Sequence, residues 1–281
     1  MKRILVPCDF SEQSTNAFRF AVQLEKILKA EIHLLHIVEL PFLHDTVLMP
    51  TLFFEEERLK DIRKLAESRL DDIVKKLSFP DVRLKTKVDY GAPSRKILEY
   101  IADQQIDLVV MGTRGATGMR EIFIGSNTEK IVRASGVPVI AVKNDVRPRQ
   151  IRSIVFPNTV ESDSHEDLVT KVKELQHAFN AQLHVVYINT PLNFRQDIVT
   201  RKELAHFARR YMLRDCTTDV FNDMEEEAGI IRFARMIGAD MIAVGTHGRR
   251  GLAHLVSGSL AEDLVNHSRL PVWTYSIRKN P

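Results

Sequence analysis

Three glycines and a serine, spaced Gly-x2-Gly-x9-Gly-Ser, occur twice in this sequence. The first set is Gly112, Gly115, Gly125 and Ser126; the second is Gly245, Gly248, Gly258 and Ser259. Glycine has no Cβ, so its backbone N–H can approach an anion closely. A helix that opens at such a glycine adds unpaired N–H groups and the positive end of its dipole, which suits phosphate. In the first set Arg114 supplies a fixed positive charge, and Ser126 and Thr128 supply hydroxyl donors. Asp9 is an acceptor of opposite character. It suits the amine or hydroxyl end of a nucleoside, not its phosphates. Together these residues predict a site for a phosphorylated nucleoside.

Such residues must be gathered by elements, and the elements also come twice. The stretch from Ile106 to Val139 matches the stretch from Ala239 to Val272 without a gap, at an offset of 133 residues. Asp107/Asp240, Thr113/Thr246, Gly118/Gly251 and Pro138/Pro271 are identical pairs, and Ile4–Pro7 resembles Ile154–Pro157. A polar stretch, Lys143–Gln150, holds Pro148 and separates the halves, which predicts domains 1–146 and 147–281. In the first half, buried apolar runs predict strands at Ile4–Pro7, Ile32–Val38, Val82–Val88, Asp107–Met111 and Val137–Val142. Helical periodicity follows Ser11, a predicted N-cap, and recurs over Leu59–Leu77, Ile97–Ala102 and Asn127–Ala134. In the second half, strands are recognisable at Ile154–Phe156, Leu183–Ile188, Met241–Val244 and Val272–Tyr275. Alternating strand and helix gives an α/β fold: in each half a five-stranded parallel sheet with helices on both faces. Ligands of such sheets bind beyond the carboxyl ends of the strands, where Asp9 and the glycines fall.

The Ile4–Pro7 start, Asp9, the Gly91-Ala92-Pro93 segment and the glycine spacing together resemble the universal stress protein family, in its nucleotide-binding subclass. The resemblance covers essentially the whole chain as a tandem of two domains. It implies two Rossmann-like domains of the adenine nucleotide α-hydrolase type and an adenine nucleotide ligand, ATP (or AMP or ADP), with Mg as a candidate companion. It also implies a role in stress response as a nucleotide-responsive regulator, without dedicated catalytic machinery. The residues matching the family's site are Pro7, Cys8, Asp9, Ile37, Met111, Gly112, Arg114, Gly115, Gly125, Ser126, Asn127 and Thr128. In the second half Asn158 and Thr159 stand where Cys8 and Asp9 stand, so the carboxylate is lost. Leu260 and Ala261 replace Asn127 and Thr128, and Asp223–Glu227 occupies the place of Gly91-Ala92-Pro93. Gly245, Gly248, Gly258 and Ser259 persist, with His247 in place of Arg114. The intact motif of the first half is therefore the expected nucleotide site. Single-domain relatives commonly pair through their last strand, so the halves are expected to form an intramolecular pseudo-dimer, with room for a homodimer.

Composition bounds the rest. An apolar fraction of 44% with 27% charged residues excludes disorder, and a net charge of +3 is too balanced for a dedicated nucleic-acid binder. No apolar run approaches a membrane span. Cys8 and Cys216 have no partner spacing and read as reduced thiols of a cytoplasmic protein. Loops of the types GxxxxGK[ST], GxSxG and HExxH are absent from the sequence, as are HxGH and SGGxDS segments for adenylyl transfer. No enzyme is expected, with slow ATP hydrolysis left open. The alternative reading is an interaction scaffold whose glycine loops are relics. Asp9 is open to two roles, helix cap and ligand contact. His33, His36 and His184 read as structural, and Glu55–Glu57 and Glu225–Glu227 as solvated helix starts. The apolar segment Pro41–Phe54 is expected to be a lid, a docking surface or static packing; no protein partner is legible.

Overall fold

The computed structural model describes residues 1–39, 56–77, 82–113, 125–159, 166–247 and 259–277. Each half contributes five strands. They are β1 (Arg3–Pro7), β2 (Glu31–Val38), β3 (Leu84–Tyr90), β4 (Leu108–Gly112) and β5 (Val139–Val142), then β6 (Ser153–Pro157), β7 (Gln182–Asn189), β8 (Cys216–Asn222), β9 (Met241–His247) and β10 (Val272–Ile277). The first half's helices are α1 (Glu12–Leu28), α2 (Glu56–Leu77), α3 (Pro93–Asp103) and α4 (Ser126–Ala134). The second half's are α5 (Glu166–Phe179), α6 (Asp197–Arg210), α7 (Glu226–Met236) and α8 (Ser259–His267). The strands order as β3-β2-β1-β4-β5-β10-β9-β6-β7-β8. All pairs within a half are parallel, with Ile4 beside both Ile32 and Leu108. The halves meet at an antiparallel pair, where Trp273 lies opposite Ile140 and Val272 opposite Ala141.

Alternation along each strand sends side chains to two cores. Ile4 and Val6 face a layer containing Phe18, Phe20 and Leu24 of α1, whereas Leu5, Val109 and Met111 face Ile97, Ile101 and Ile131 of α3 and α4. The helices start and stop for local reasons. Ser11 caps α1 by accepting from the Ser14 N–H, and Lys29 ends it in the left-handed conformation (φ 55°). Pro93 opens α3, where its missing N–H costs nothing.

Several boundaries differ from the sequence reading. Strand β3 begins two residues later than Val82, and α3 starts at Pro93, before the first apolar periodic residue. Strand β8 was not legible at all. Glu226 and Glu227 are not simply solvated: burial raises the Glu226 carboxyl pKa, and Glu227 accepts from His267 at 2.6 Å. Among the described residues no helix is long and apolar enough to cross a membrane. Segment 41–54, with the expectation placed on it, lies outside the described residues.

Candidate functional site

In the order β3-β2-β1-β4-β5, the chain leaves β1 toward one side and β4 toward the other. Neighbouring strands whose connections leave toward opposite sides frame a crevice beyond their ends, the usual ligand position in open α/β sheets. A cavity of about 590 Å³ lies there. Pro7, Cys8 and Asp9 line it from the end of β1, Ile37 from β2, and Met111, Gly112 and Thr113 from the end of β4. Gly125, Ser126, Asn127 and Thr128 line it from the first turn of α4. The structure thus gathers ten of the twelve first-half residues singled out in the sequence. The other two, Arg114 and Gly115, lie outside the described residues. Ser11, Gln13, Ser14, Glu39, Pro93 and Glu129 also line the cavity. Sequence reasoning missed them as ligand-facing positions, although Ser11 was legible as a cap and Pro93 as part of the Gly-x-Pro segment.

The two glycines of the first motif whose surroundings are described do different work. A Cβ on Gly112 would sit 2.2 Å from the backbone carbonyl carbon and oxygen of Gln13. Gly112 is therefore required by the close crossing of α1 over β4, not by a ligand. A Cβ on Gly125 would meet nothing within 4 Å. Gly125 is the N-cap of α4, so the cap position itself offers no side-chain acceptor, and none caps that helix end among the described residues. The first turn of α4 thus lines the cavity, and a helix leaves its first N–H groups without intrahelical partners. Thr113 adds a buried hydroxyl, 3% exposed, whose Oγ1 has no hydrogen-bond partner among the described residues. An orphaned buried hydroxyl beside an open helix N-terminus fits a polar, anionic ligand.

Asp9, also in the lining, is organised rather than capping. Its Oδ1 accepts from the Ser11 N–H at 3.0 Å and the Ser11 hydroxyl at 2.5 Å. Partial burial pushes the carboxyl pKa up, but the bonds from Ser11 and Ser14 outweigh it and hold Asp9 below the usual carboxylate range. Asp9 is thus ionised and oriented, with Oδ2 taking neither of the Ser11 bonds. Ser11, not Asp9, caps α1. Between them Phe10 adopts φ 65°, an uncommon conformation for a bulky residue. Its ring lies 4.3 Å from that of His36, with the Arg69 guanidinium 5.5 Å from its centroid. The His36 ring nitrogen Nδ1 is 2.7 Å from the Cys8 carbonyl oxygen. Cys8 itself is buried, and that burial raises its thiol pKa, so it lines the cavity as a small apolar wall, not as a thiolate. His33 bridges Glu31 (2.7 Å) and Tyr100 (2.8 Å) inside the fold, and His184 bonds Thr217 at 2.9 Å.

Only part of the second glycine set lies within the described residues. Gly245 and His247 lie in β9 and Ser259 opens α8, whereas Gly248 and Gly258 lie outside the described residues. A Cβ on Gly245 would meet the end of the Leu168 side chain of α5 at 2.5 Å, a contact that Leu168 can relieve by shifting, unlike the backbone contact at Gly112. A second cavity, of about 870 Å³, lies elsewhere, beyond β7 and β8, lined by Asn189, Phe194, Asn222, Met224 and Arg232 among others.

Comparisons with known proteins agree with this architecture. The profile described as the universal stress protein family matches residues 1–143 and again 151–276. A universal stress protein of Methanocaldococcus jannaschii is 31% identical over 150 residues, covering 50% of this chain and 82% of that protein. One from Bacillus subtilis is 30% identical over 146 residues, covering 50% of this chain and 98% of its own. These relatives match half of this chain because it carries the domain twice. A solved universal stress protein from Archaeoglobus fulgidus superposes with a TM-score of 0.76 over 98% of both chains at 21% identity, which shows the shared fold. With both halves matched in sequence and the whole chain matched in fold, the chain belongs to the universal stress protein family.

Proposed function

We propose that the first half binds an adenine nucleotide, ATP foremost, and that the protein acts in stress response as a nucleotide-responsive regulator. The observation that carries this reading is the cavity at the β1/β4 crevice, lined both by an ionised, oriented carboxylate and by a helix N-terminus that no side chain caps among the described residues. Its volume falls in the usual range for small-molecule sites, roughly 300–1,000 Å³. Asp9 would accept from a hydroxyl or amine of the nucleoside. The α4 N–H groups, Ser126 and the Thr113 hydroxyl would hold the phosphates, joined by Arg114 and Gly115 on the sequence argument, with Mg accompanying them. The phosphates supply the negative charge that an open helix N-terminus attracts. Cys8, Ile37 and Met111 supply apolar wall. In the second half Thr159 in place of Asp9 removes the carboxylate, so the first site is the occupied one. The reading is one of binding rather than turnover, because the sequence carries no GxSxG, HExxH or GxxxxGK[ST] segment. The antiparallel β5–β10 pair supports the reading of the two halves as a pseudo-dimer within one chain, and two unpaired cysteines support a cytoplasmic setting.

Calorimetric titration of the full chain with ATP tests the reading. Asp9→Ala is expected to weaken binding by about 1–3 kcal/mol, the cost of a lost buried polar partner. Gly125→Val fills open space at the cavity wall and is expected to abolish binding while the fold survives. Absence of ATP binding by the wild-type chain, or equal affinity in both variants, returns the protein to a nucleotide-independent scaffold.

A further inference from the structure

The helix that opens at the first-half cavity is also gripped by the second half. Glu129, in the first turn of α4, lines the cavity. One turn on, the Arg133 guanidinium lies 3.5 Å from Glu129 Oε1 and 3.4 Å from Glu262 Oε1 of α8. Glu129 and Glu262 are the same position of the repeat, 133 residues apart, and the repeat mate of Arg133 is Asn266. One guanidinium therefore serves two equivalent carboxylates, and its mate cannot return the interaction. The backbone around the pair is tied across the same seam. Ser276 of β10 donates to the Arg133 carbonyl at 3.4 Å, and Lys143, just past β5, donates to the Asn266 carbonyl.

Electrostatics gives this arrangement a consequence. A carboxylate in the first turn of a helix occupies the favourable potential that an anionic ligand would use. Glu129 thus opposes an incoming phosphate, and Arg133 offsets that opposition. Glu262 draws on the same cation. It is only 17% exposed in its side chain, and burial together with the Glu129 charge pushes its carboxyl pKa up, against the pull of Arg133.

We propose that Arg133 is an electrostatic relay between the halves: it divides its charge between Glu129 at the cavity and Glu262 of α8, so that the second half sets the potential an anion meets in the first. This rests on the nucleotide reading above and adds its regulation. Any event that moves α8 or neutralises Glu262 returns Arg133 to Glu129 and favours the anion. By linkage, an anion in the cavity weakens the hold on Glu262 by the same factor.

The test is titration of the full chain with ATP at low ionic strength, comparing wild type with Glu262→Gln, Arg133→Gln and Arg133→Lys. Partly exposed charge pairs are worth little each, so the expected shifts are about two- to fivefold. Glu262→Gln, far from the ligand in sequence and on the other half, tightens binding. Arg133→Gln weakens it, and Arg133→Lys, which keeps the charge, restores it. The differences shrink at 0.5 M salt, on the order of the screening expected from a Debye length near 4 Å. Wild-type binding with an unchanged constant in Glu262→Gln overturns the relay alone. Absence of wild-type binding overturns the nucleotide reading and the relay with it.

Discussion

At the scale of single residues, repetition and function separate. Gly112 is held by packing, because α1 crosses the fourth strand of the first half too closely for a Cβ, whereas its mate Gly245 faces only the Leu168 side chain of α5. Asp107 and Asp240 recur because each accepts two N–H groups at the start of the half's first strand. Asp107 Oδ2 takes Lys2 and Arg3 at 2.6 and 3.0 Å, and Asp240 Oδ2 takes Arg152 and Ser153 at 2.8 and 3.0 Å. Of the residues suited to a ligand, Asp9 and Thr128 are lacking in the second half, whereas Thr113 and Ser126 recur as Thr246 and Ser259. This yields a contrast between two glycines of one motif. Gly112→Ala drives a methyl group into the Gln13 backbone, which cannot rotate aside as a side chain could. It is expected to cost about 1–3 kcal/mol or more, as overpacking does. Gly125→Ala meets open space and is expected to cost well under half of that. Denaturant midpoints of the two variants measure the difference. Equal stability would mean that α1 and β4 do not meet as closely as described.

At the scale of elements, legibility followed burial. The central strands β1, β4, β6 and β9 are apolar runs because helices cover both faces, and a run of Ile, Leu and Val is unambiguous in the sequence. Strand β8 at the sheet's edge is Cys-Thr-Thr-Asp-Val-Phe-Asn, with six of its seven residues half-buried, so neither a run nor a clean alternation marks it. Strand β3, the other edge, was found but misplaced by two residues, because its Lys85, Thr86 and Lys87 are exposed. The site was legible where its chemistry follows from residue type: Asp9, the α4 N-terminus and the hydroxyls. It was not legible where tertiary contact alone decides. Nothing in the sequence says that Thr113 is orphaned, that His36 holds the Cys8 carbonyl, or that Phe10 must take a positive φ beneath Arg69. The seam was legible only in outline. The two last strands are apolar and need cover, yet Arg133 between Glu129 and Glu262 joins residues more than 120 positions apart.

At the scale of the whole molecule, the ten-stranded sheet is held at its centre by one antiparallel pair and the side chains around it. Lys143 is a buried charged member of that seam. It is 9% exposed, and burial lowers its amine pKa to about 8, with Glu227 pulling weakly the other way. An unfolded lysine titrates near ~10.4. Between those values the unfolded chain holds the proton more tightly than the folded one, so this group's contribution to stability rises with pH from about 8 to ~10.4. The check is differential, because thiols and tyrosines titrate nearby. The stability of wild type relative to Lys143→Met is expected to improve by about 1–2 kcal/mol across that window, after discounting for partial solvation. A flat difference would place Lys143 in solvent. The same seam sets the fate of the isolated first half. All four residues of β5 are buried, at 3% exposure or less, and their cover is β10, with Trp273 fully buried on it. Residues 1–146 alone would leave β5 as an apolar edge with unpaired N–H and C=O groups, the feature that recruits another strand. The fragment is therefore expected to self-associate, pairing β5 with β5 in the antiparallel sense that β10 provides in the full chain. Sedimentation of the fragment against the full chain reads this directly. A fragment that stays monomeric and as stable as the parent would mean that the β5 edge needs no cover, and that the two halves are neighbours without being a unit.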